Sequence, residues 1–172
     1  MPRSRALVVY ESMFGNTKAV AETIADSLSA RYDVDVREVS AAPAAPAGYA
    51  LVVVGGPIHA FGMTRPSTRA DAQGQAEKKH VAPVSTGIGV REWLEQLPAP
   101  SAPTSEAAFD TAARVWGFTV GSAARGEAKS LQRHGYAVVA PPEHFYVRDV
   151  DGPLLDGELE RARTWAGSLT EA

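Results

Sequence analysis

The chain has 172 residues, of which 45% are hydrophobic and 22% charged, and its formal net charge is −3. This length suits one domain with a sizeable core, and the composition is that of an ordinary globular protein. The mild negative charge gives no reason to expect nucleic acid as a partner, and none is predicted. The absence of cysteine excludes disulfides, thiolate nucleophiles and iron–sulfur ligation, so any redox chemistry requires a bound cofactor.

Residues 1–5 lead directly into an apolar run, without the apolar segment and cleavage site of a secretion signal. No apolar stretch approaches the length of a membrane span. The four histidines show none of the spacings that metal sites favour, and no metal site is predicted. We therefore expect a cytoplasmic protein, a single domain over residues 1–172, with no membrane insertion.

The first half of the chain alternates strand and helix patterns. Residues 6–10 are apolar throughout, which predicts a buried parallel strand over residues 5–10. Between Asn16 and Arg31 apolar residues recur every fourth position, which predicts a helix with one apolar stripe. Alternation at Val34 and Val36 predicts a shorter strand near a sheet edge. Residues 50–54 form the most apolar run and predict the central strand.

The middle of the chain is less regular. Residues 63–87 are rich in Pro, Ser, Thr, Gly and charge, and they predict a long loop, which in a compact domain is either functional or mobile. A short helix is predicted over residues 90–97. Residues 106–109 predict a short strand, and Asp110 and Thr111 are expected to begin its exit loop.

The last part of the chain repeats the alternation. Ser122 can cap a helix that ends at Gly135. Residues 136–140 and 145–147 predict one interrupted strand, and a final helix from near Asp156 is expected to bury Leu159, Ala162, Ala166 and Leu169. Alternating strands and helices without repeats indicate an α/β fold with a doubly wound parallel sheet, whose ligands bind beyond the carboxyl ends of the strands.

One strand-to-helix connection carries a specific signal. The segment Ser12-Met13-Phe14-Gly15-Asn16-Thr17 lies between the first strand and the first helix. The first turn of a helix has unpaired N–H groups and a partial positive charge, which together attract phosphate. The Ser and Thr hydroxyls add donors, and Gly15 allows close approach of the backbone. The sequence therefore predicts a phosphate site here.

Two further loops follow predicted strands. Residues 55–63 include Gly55-Gly56-Pro57-Ile58-His59-Ala60-Phe61-Gly62, and residues 109–117 include Asp110, Thr111, Ala112 and Trp116. Both lie at the same edge of the predicted sheet as the phosphate loop, because the carboxyl ends of parallel strands share one edge.

With these motifs, the chain resembles the flavodoxin family over nearly its whole length. Flavodoxins carry a phosphate loop of the form [Thr/Ser]-x-Thr-Gly-x-Thr, which Ser12, Gly15 and Thr17 match, whereas Phe14 replaces the middle Thr. The second loop is similar to the family's Gly-x-Pro-Thr-Trp-x-x-Gly, with His59 at the position of the ring-stacking Trp. The resemblance implies a three-layer α/β/α fold around a five-stranded parallel sheet in the order 2-1-3-4-5.

The resemblance also implies an FMN cofactor and its binding residues. By analogy, the phosphate contacts are Ser12, Met13, Phe14, Gly15, Asn16 and Thr17, and the ring contacts are Pro57, Ile58, His59, Ala60, Phe61, Gly62, Asp110, Thr111, Ala112 and Trp116. Phe61 is either a ring partner or a plug in the core beneath its loop. Trp116 either covers the cofactor or packs in the core. No residue is assigned a catalytic role.

Three functions are open at this point. We favour an electron carrier whose partner is a redox protein or a small-molecule acceptor, present as a monomer or weak dimer. The second is a flavodoxin-type oxidoreductase that reduces a quinone or similar acceptor with NAD(P)H. The third is a flavodoxin fold that has lost FMN and serves as a binding module, a hypothesis motivated by Phe14.

Overall fold

The computed structural model describes residues 2–114 and 121–170 and contains a parallel sheet between two layers of helices. The strands are β1 (Arg5–Tyr10), β2 (Asp33–Glu38), β3 (Leu51–Pro57), β4 (Ser105–Ala113), β5 (Ala137–Val138) and β6 (Glu143–Val147). The helices are α1 (Asn16–Leu28), α2 (Pro66–Lys78), α3 (Val90–Glu95), α4 (Ala123–Arg133) and α5 (Glu158–Ser168), with a short 3-10 turn at Val39–Ala41.

The sheet has the order β2-β1-β3-β4-β5, and β6 continues alongside β4 beyond β5. All five pairings are parallel. β5 and β6 together form the interrupted last strand that the sequence predicts, so the expected strand order and three-layer architecture are confirmed. The phosphate loop and the other two candidate loops follow β1, β3 and β4 at one edge of the sheet.

Two apolar layers hold the helices against the sheet. On one face, Val20, Ile24 and Leu28 of α1 are buried together with residues of α5, such as Ala162 and Ala166. On the other face, residues of α3 and α4 pack on β1 and β3. The spacing of four residues along α1 puts its apolar side chains on one side of the helix, which explains why this helix is visible in the sequence.

The structure corrects the prediction of a long loop over residues 63–87. Residues 66–78 form α2, a regular helix of 13 residues. Its buried positions are two alanines and Arg69, so it has no apolar stripe that could be recognised in the sequence.

Two smaller predictions are also wrong. β4 continues through Asp110 and Thr111 to Ala113, where an exit loop was expected, because these polar side chains find distant partners within the fold. Leu159, expected in the core, is 37% exposed. Within the described residues, no helix is both long and apolar enough to span a bilayer.

Candidate functional site

The loop between β1 and α1 is held in place by hydrogen bonds to Val84 and Ser85, which are distant in the sequence. The Ser12 amide donates to Ser85 Oγ (2.9 Å), and the Ser85 amide donates back to the Ser12 carbonyl (2.7 Å). The Val84 amide also donates to the Met13 carbonyl (3.1 Å). These bonds fix the backbone at the start of the loop independently of any ligand.

The start of α1 has the features of an anion site. Gly15 adopts a left-handed conformation (φ 92°), and its amide donates to Ser12 Oγ (3.1 Å). Among the described residues, the amides of Asn16, Thr17 and Lys18 have no hydrogen-bond acceptor. The first turn contains no acidic residue. The positive end of the helix dipole is therefore uncompensated here, as an anion site requires.

A cleft of about 80 Å³ opens beside this turn. It brings together nine of the residues predicted from the sequence: Ser12, Met13, Phe14, Asn16, Thr17, Pro57, Ile58, His59 and Thr111. Three further lining residues, Ala113, Val147 and Val150, were not predicted. Phe14 is half-buried in the wall of the cleft and leaves this space open.

A hydroxyl pair connects the phosphate loop to the opposite wall. Thr17 Oγ1 and Thr111 Oγ1 lie 2.7 Å apart, and both side chains are buried. Either hydroxyl can be the donor. When Thr111 donates to Thr17, the Thr17 hydrogen is available for an anion in the cleft.

The second loop forms a tight turn at the rim. The His59 amide donates to the Gly62 carbonyl (2.9 Å), and the Gly62 amide donates to the His59 carbonyl (3.1 Å). Ala60 and Phe61 both have positive φ, 44° and 72°. Ala60, Phe61 and Gly62 lie outside the cleft lining, and the Phe61 side chain is 69% exposed, so it does not plug the core.

This turn is hydrogen-bonded to the start of α4. The Ser122 amide donates to the Phe61 carbonyl (3.1 Å), and Ser122 Oγ accepts from the Arg125 amide as the N-cap. Arg91 donates to the Met63 and Thr64 carbonyls (3.0 Å each) on the following residues. The turn is therefore fixed on both sides without a ligand.

His59 is the titratable side chain in the cleft wall. Burial lowers its pKa, and the nearby Arg69 guanidinium lowers that pKa further. The imidazole is consequently neutral at physiological pH and can stack on an aromatic group without placing a full charge against it.

The third loop contributes less to the cleft than the sequence predicts. The Asp110 carboxylate is fully buried and accepts hydrogen bonds from Ser122 Oγ (3.1 Å), the Ala124 amide (2.9 Å) and His144 Nδ1 (2.6 Å). Asp110 and the buried Ala112 do not line the cleft. Trp116 lies outside the described residues. Of the three predicted residues of this loop that the structure describes, only Thr111 lines the cleft.

The Asp110–His144 contact makes a testable contribution to stability. Its hydrogen bond with Asp110 raises the pKa of His144. A raised folded-state pKa stabilises the protein fully below the unfolded-state value of about 6.5, and this contribution is lost as the pH rises through the folded-state value. We expect His144→Gln to reduce the free energy of unfolding more at pH 6 than at pH 9 in urea titrations. A difference independent of pH would contradict this assignment.

Comparisons with known proteins agree with this geometry. A family model described as a flavodoxin domain matches residues 7–82, which span β1 to α2. This chain has a flavodoxin-like fold. The sequence matches no curated protein.

Solved structures resemble the flavodoxin-like chain over almost its full length. A flavodoxin from the domain Archaea is 19% identical with a TM-score of 0.65, covering 97% of this chain and 96% of its own. Oxidised flavodoxin 2 from Bacillus cereus is 20% identical with a TM-score of 0.65, covering 98% and 99%. Two-electron reduced Megasphaera elsdenii flavodoxin is 16% identical with a TM-score of 0.58, covering 97% and 99%.

Next to the second candidate loop of this flavodoxin-like fold lies a polar network that sequence reasoning missed. Glu11 is buried and accepts from Thr64 Oγ1 (2.6 Å) and from the Val90 amide (2.9 Å). Arg69 donates to Thr64 Oγ1 and to Glu92 Oε1 (2.9 Å each). The sequence did contain a signal, because Glu11 directly follows the apolar run of residues 6–10 and a carboxylate buried there requires partners.

Glu127 of α4 is a second buried acid that the sequence did not reveal. It is fully buried, and within residues 2–114 and 121–170 neither carboxyl oxygen has a hydrogen-bond partner. Burial raises its pKa well above the usual range, and Asp110, Glu11 and Glu106 add to the shift. Its surroundings therefore favour the uncharged form of the carboxyl group.

Proposed function

We propose that this protein binds FMN in the cleft and transfers electrons to and from a redox partner. The observation that carries this proposal is the uncompensated start of α1, where the Asn16, Thr17 and Lys18 amides face no acceptor among the described residues. A doubly charged phosphate monoester matches that site in charge and in hydrogen-bonding capacity.

The remaining cleft residues suit the rest of such a ligand. Ser12 and Thr17 can supply hydroxyl donors, while Ile58, His59, Val147 and Val150 offer apolar and aromatic surface for a ring. The polar atoms at one end and apolar atoms elsewhere are typical of cofactor sites. When bound, FMN supplies reversible one- and two-electron reduction, and the protein orients the ring and limits its contact with water.

The open cleft beside Phe14 favours an FMN protein over the hypothesis of a fold that has lost its cofactor. Phe14 is only half-buried, and it lines the cleft beside Asn16 and Thr17 without closing it. The three hypotheses give different results on purification. A colourless protein that takes up no added FMN would eliminate both flavin functions. Bleaching of the bound flavin by NAD(P)H alone would identify the oxidoreductase, and inertness towards NAD(P)H favours the carrier.

We expect Thr17→Ala to weaken FMN binding by about 10- to 100-fold, since a hydrogen bond to a charged group contributes about 1.5–3 kcal/mol. Riboflavin lacks the phosphate, so its affinity is expected to change far less. Fluorescence titrations with both flavins measure this difference. Thr17→Ser keeps the hydroxyl and serves as the matched control. Equal losses for FMN and riboflavin in Thr17→Ala would mean that the phosphate is held elsewhere.

A further inference from the structure

The surface beside the ring loops has the opposite charge from the chain as a whole. Segments 57–66, 111–114 and 121–126 contain no Asp or Glu, although the net charge of the protein is −3. They contain Arg65, Arg114 and Arg125, all exposed. None of these three arginines forms an ion pair with any other described residue. We call the surface formed by Phe61 and these arginines the ring-side face.

Several contacts hold the ring-side face together. The Phe61 carbonyl accepts from the Ser122 amide, and Arg125 lies three residues further, in the first turn of α4. Arg65 is the N-cap of α2, four residues after Phe61. Arg114 follows β4, where its guanidinium lies 4.1 Å from the centre of the Tyr146 ring. Arg65 and Arg125 thus lie on the two segments that adjoin this exposed aromatic residue, and Arg114 lies on the β6 side of β4.

The stability of α4 does not explain why residue 125 is an arginine. A cation in the first turn of a helix opposes the helix dipole and costs about 0.3–1 kcal/mol. A Glu at this position would form a capping box with Ser122 and would stabilise the helix. The charge is therefore unfavourable in the free protein and becomes favourable against an anionic partner.

Two acidic residues lie on either side of Val150, which lines the cleft. Asp149 and Asp151 follow β6, and Asp151 is paired with Lys79 at 2.5 Å. Asp110 and Glu127 are fully buried beneath α4, and Asp110 is paired with His144. Segments 57–66 and 121–126 therefore carry Arg65 and Arg125 and no carboxylate.

We propose that the ring-side face docks an acidic protein partner, with Phe61 as its apolar anchor and the arginines as its charged rim. An exposed aromatic residue within a polar rim has the composition of a protein interface. Complementary charge increases the rate of encounter and excludes partners of the wrong sign. The proposal rests on the proposed function, because this face is next to the cleft assigned to FMN.

The first test compares two double variants of equal charge. R65D/R125E reverses the charge of the ring-side face. Both substitutions introduce residues that are favourable at helix N-termini. R31E/R133E reverses the charge at two exposed arginines at the opposite edge of the sheet and serves as the control. Reduced, FMN-loaded protein is mixed with hexacyanoferrate(III), which takes one electron and becomes hexacyanoferrate(II).

At 10 mM ionic strength the Debye length is about 30 Å, so charge on this face acts strongly on the trivalent anion. We expect R65D/R125E to slow the reaction by about tenfold or more, and R31E/R133E to slow it by less than about twofold. We also expect the rate for the unmodified protein to fall as salt is added. Equal rates in the two variants, or a rate that rises with salt in the unmodified protein, would overturn the proposal.

A second test needs no flavin, so failure of the docking proposal can be separated from failure of FMN binding. The redox-inert paramagnetic anion hexacyanochromate(III) is added to ¹⁵N-labelled protein without FMN. We expect amide signals of residues 59–66 and 121–126 to broaden, and this broadening to disappear in R65D/R125E. Broadening confined to residues 16–18 would reveal only the phosphate site and would overturn the docking proposal.

The class of partner is tested with two polyanions of equal charge. Poly-L-glutamate is expected to bind the unmodified protein and R31E/R133E, and to bind R65D/R125E at least about tenfold more weakly. Tighter binding of a single-stranded oligonucleotide than of poly-L-glutamate would point to nucleic acid and overturn the assignment to an acidic protein.

Discussion

Replacing Asn16 with Asp is expected to weaken FMN binding by about 30- to 150-fold, or about 2–3 kcal/mol, because a carboxylate near a phosphate dianion repels it. The side chains have nearly the same shape, and Asn16 lines the cleft at the first residue of α1. A carboxylate at a helix N-terminus is also favourable, so the free protein should gain about 0.3–1 kcal/mol in stability. FMN affinity and stability thus change in opposite directions.

Flavin titrations and thermal unfolding of Asn16→Asp measure both effects. Riboflavin affinity should be almost unchanged. Gln96→Glu makes the same amide-to-carboxylate change on an exposed residue that ends α3 at the opposite edge of the sheet, and it should leave FMN affinity unaltered. Equal FMN affinity in Asn16→Asp and the unmodified protein would place the phosphate away from the α1 terminus.

Replacing Gly121 with Ala is expected to lower the free energy of unfolding by about 2–4 kcal/mol. A Cβ atom at this position would lie 2.0 Å from the Phe61 carbonyl oxygen and 2.4 Å from its carbon. These are backbone atoms, so no side-chain rotation relieves the overlap. Gly121 also has φ 81°, a left-handed conformation that costs a residue with a Cβ about 1–2 kcal/mol.

Gly121→Ala also distinguishes the contacts to the flavin ring from the contacts to the phosphate. Displacement of the turn at residues 59–62 should weaken FMN and riboflavin by the same factor, in contrast to Asn16→Asp. Gly62→Ala is the matched control, because no atom lies within 4 Å of its Cβ position and its φ is not positive. If Gly121→Ala is as stable as Gly62→Ala in urea titrations, the packing of this turn against α4 is not as described.

Local patterns in the sequence account for much of the fold. β1 is apolar on both faces, and α1 repeats its apolar residues every fourth position, so both elements follow from short-range preferences. The phosphate loop is equally local, because one strand end, one glycine and one helix start define it. The strand order follows once these elements are matched to the flavodoxin pattern, and the structure confirms it.

The features missed by sequence reasoning depend on distant contacts. Asp110 continues β4 because His144, 34 residues away, satisfies its carboxylate. Arg69 is buried in α2 because Thr64 and Glu92 accept its hydrogen bonds, and a buried arginine gives no apolar signal. Val150 reaches the cleft from a loop that follows β6. No local pattern encodes these pairings, since each partner lies on a different element.

The central claim is that the start of α1 holds the phosphate of a flavin nucleotide. The most direct measurement is calorimetric titration of the cofactor-free protein with FMN and with riboflavin under identical conditions. FMN is expected to bind at least about 100-fold more tightly, since charge-assisted hydrogen bonds contribute about 1.5–3 kcal/mol each. Equal affinities for the two flavins, or no binding of FMN, would contradict it.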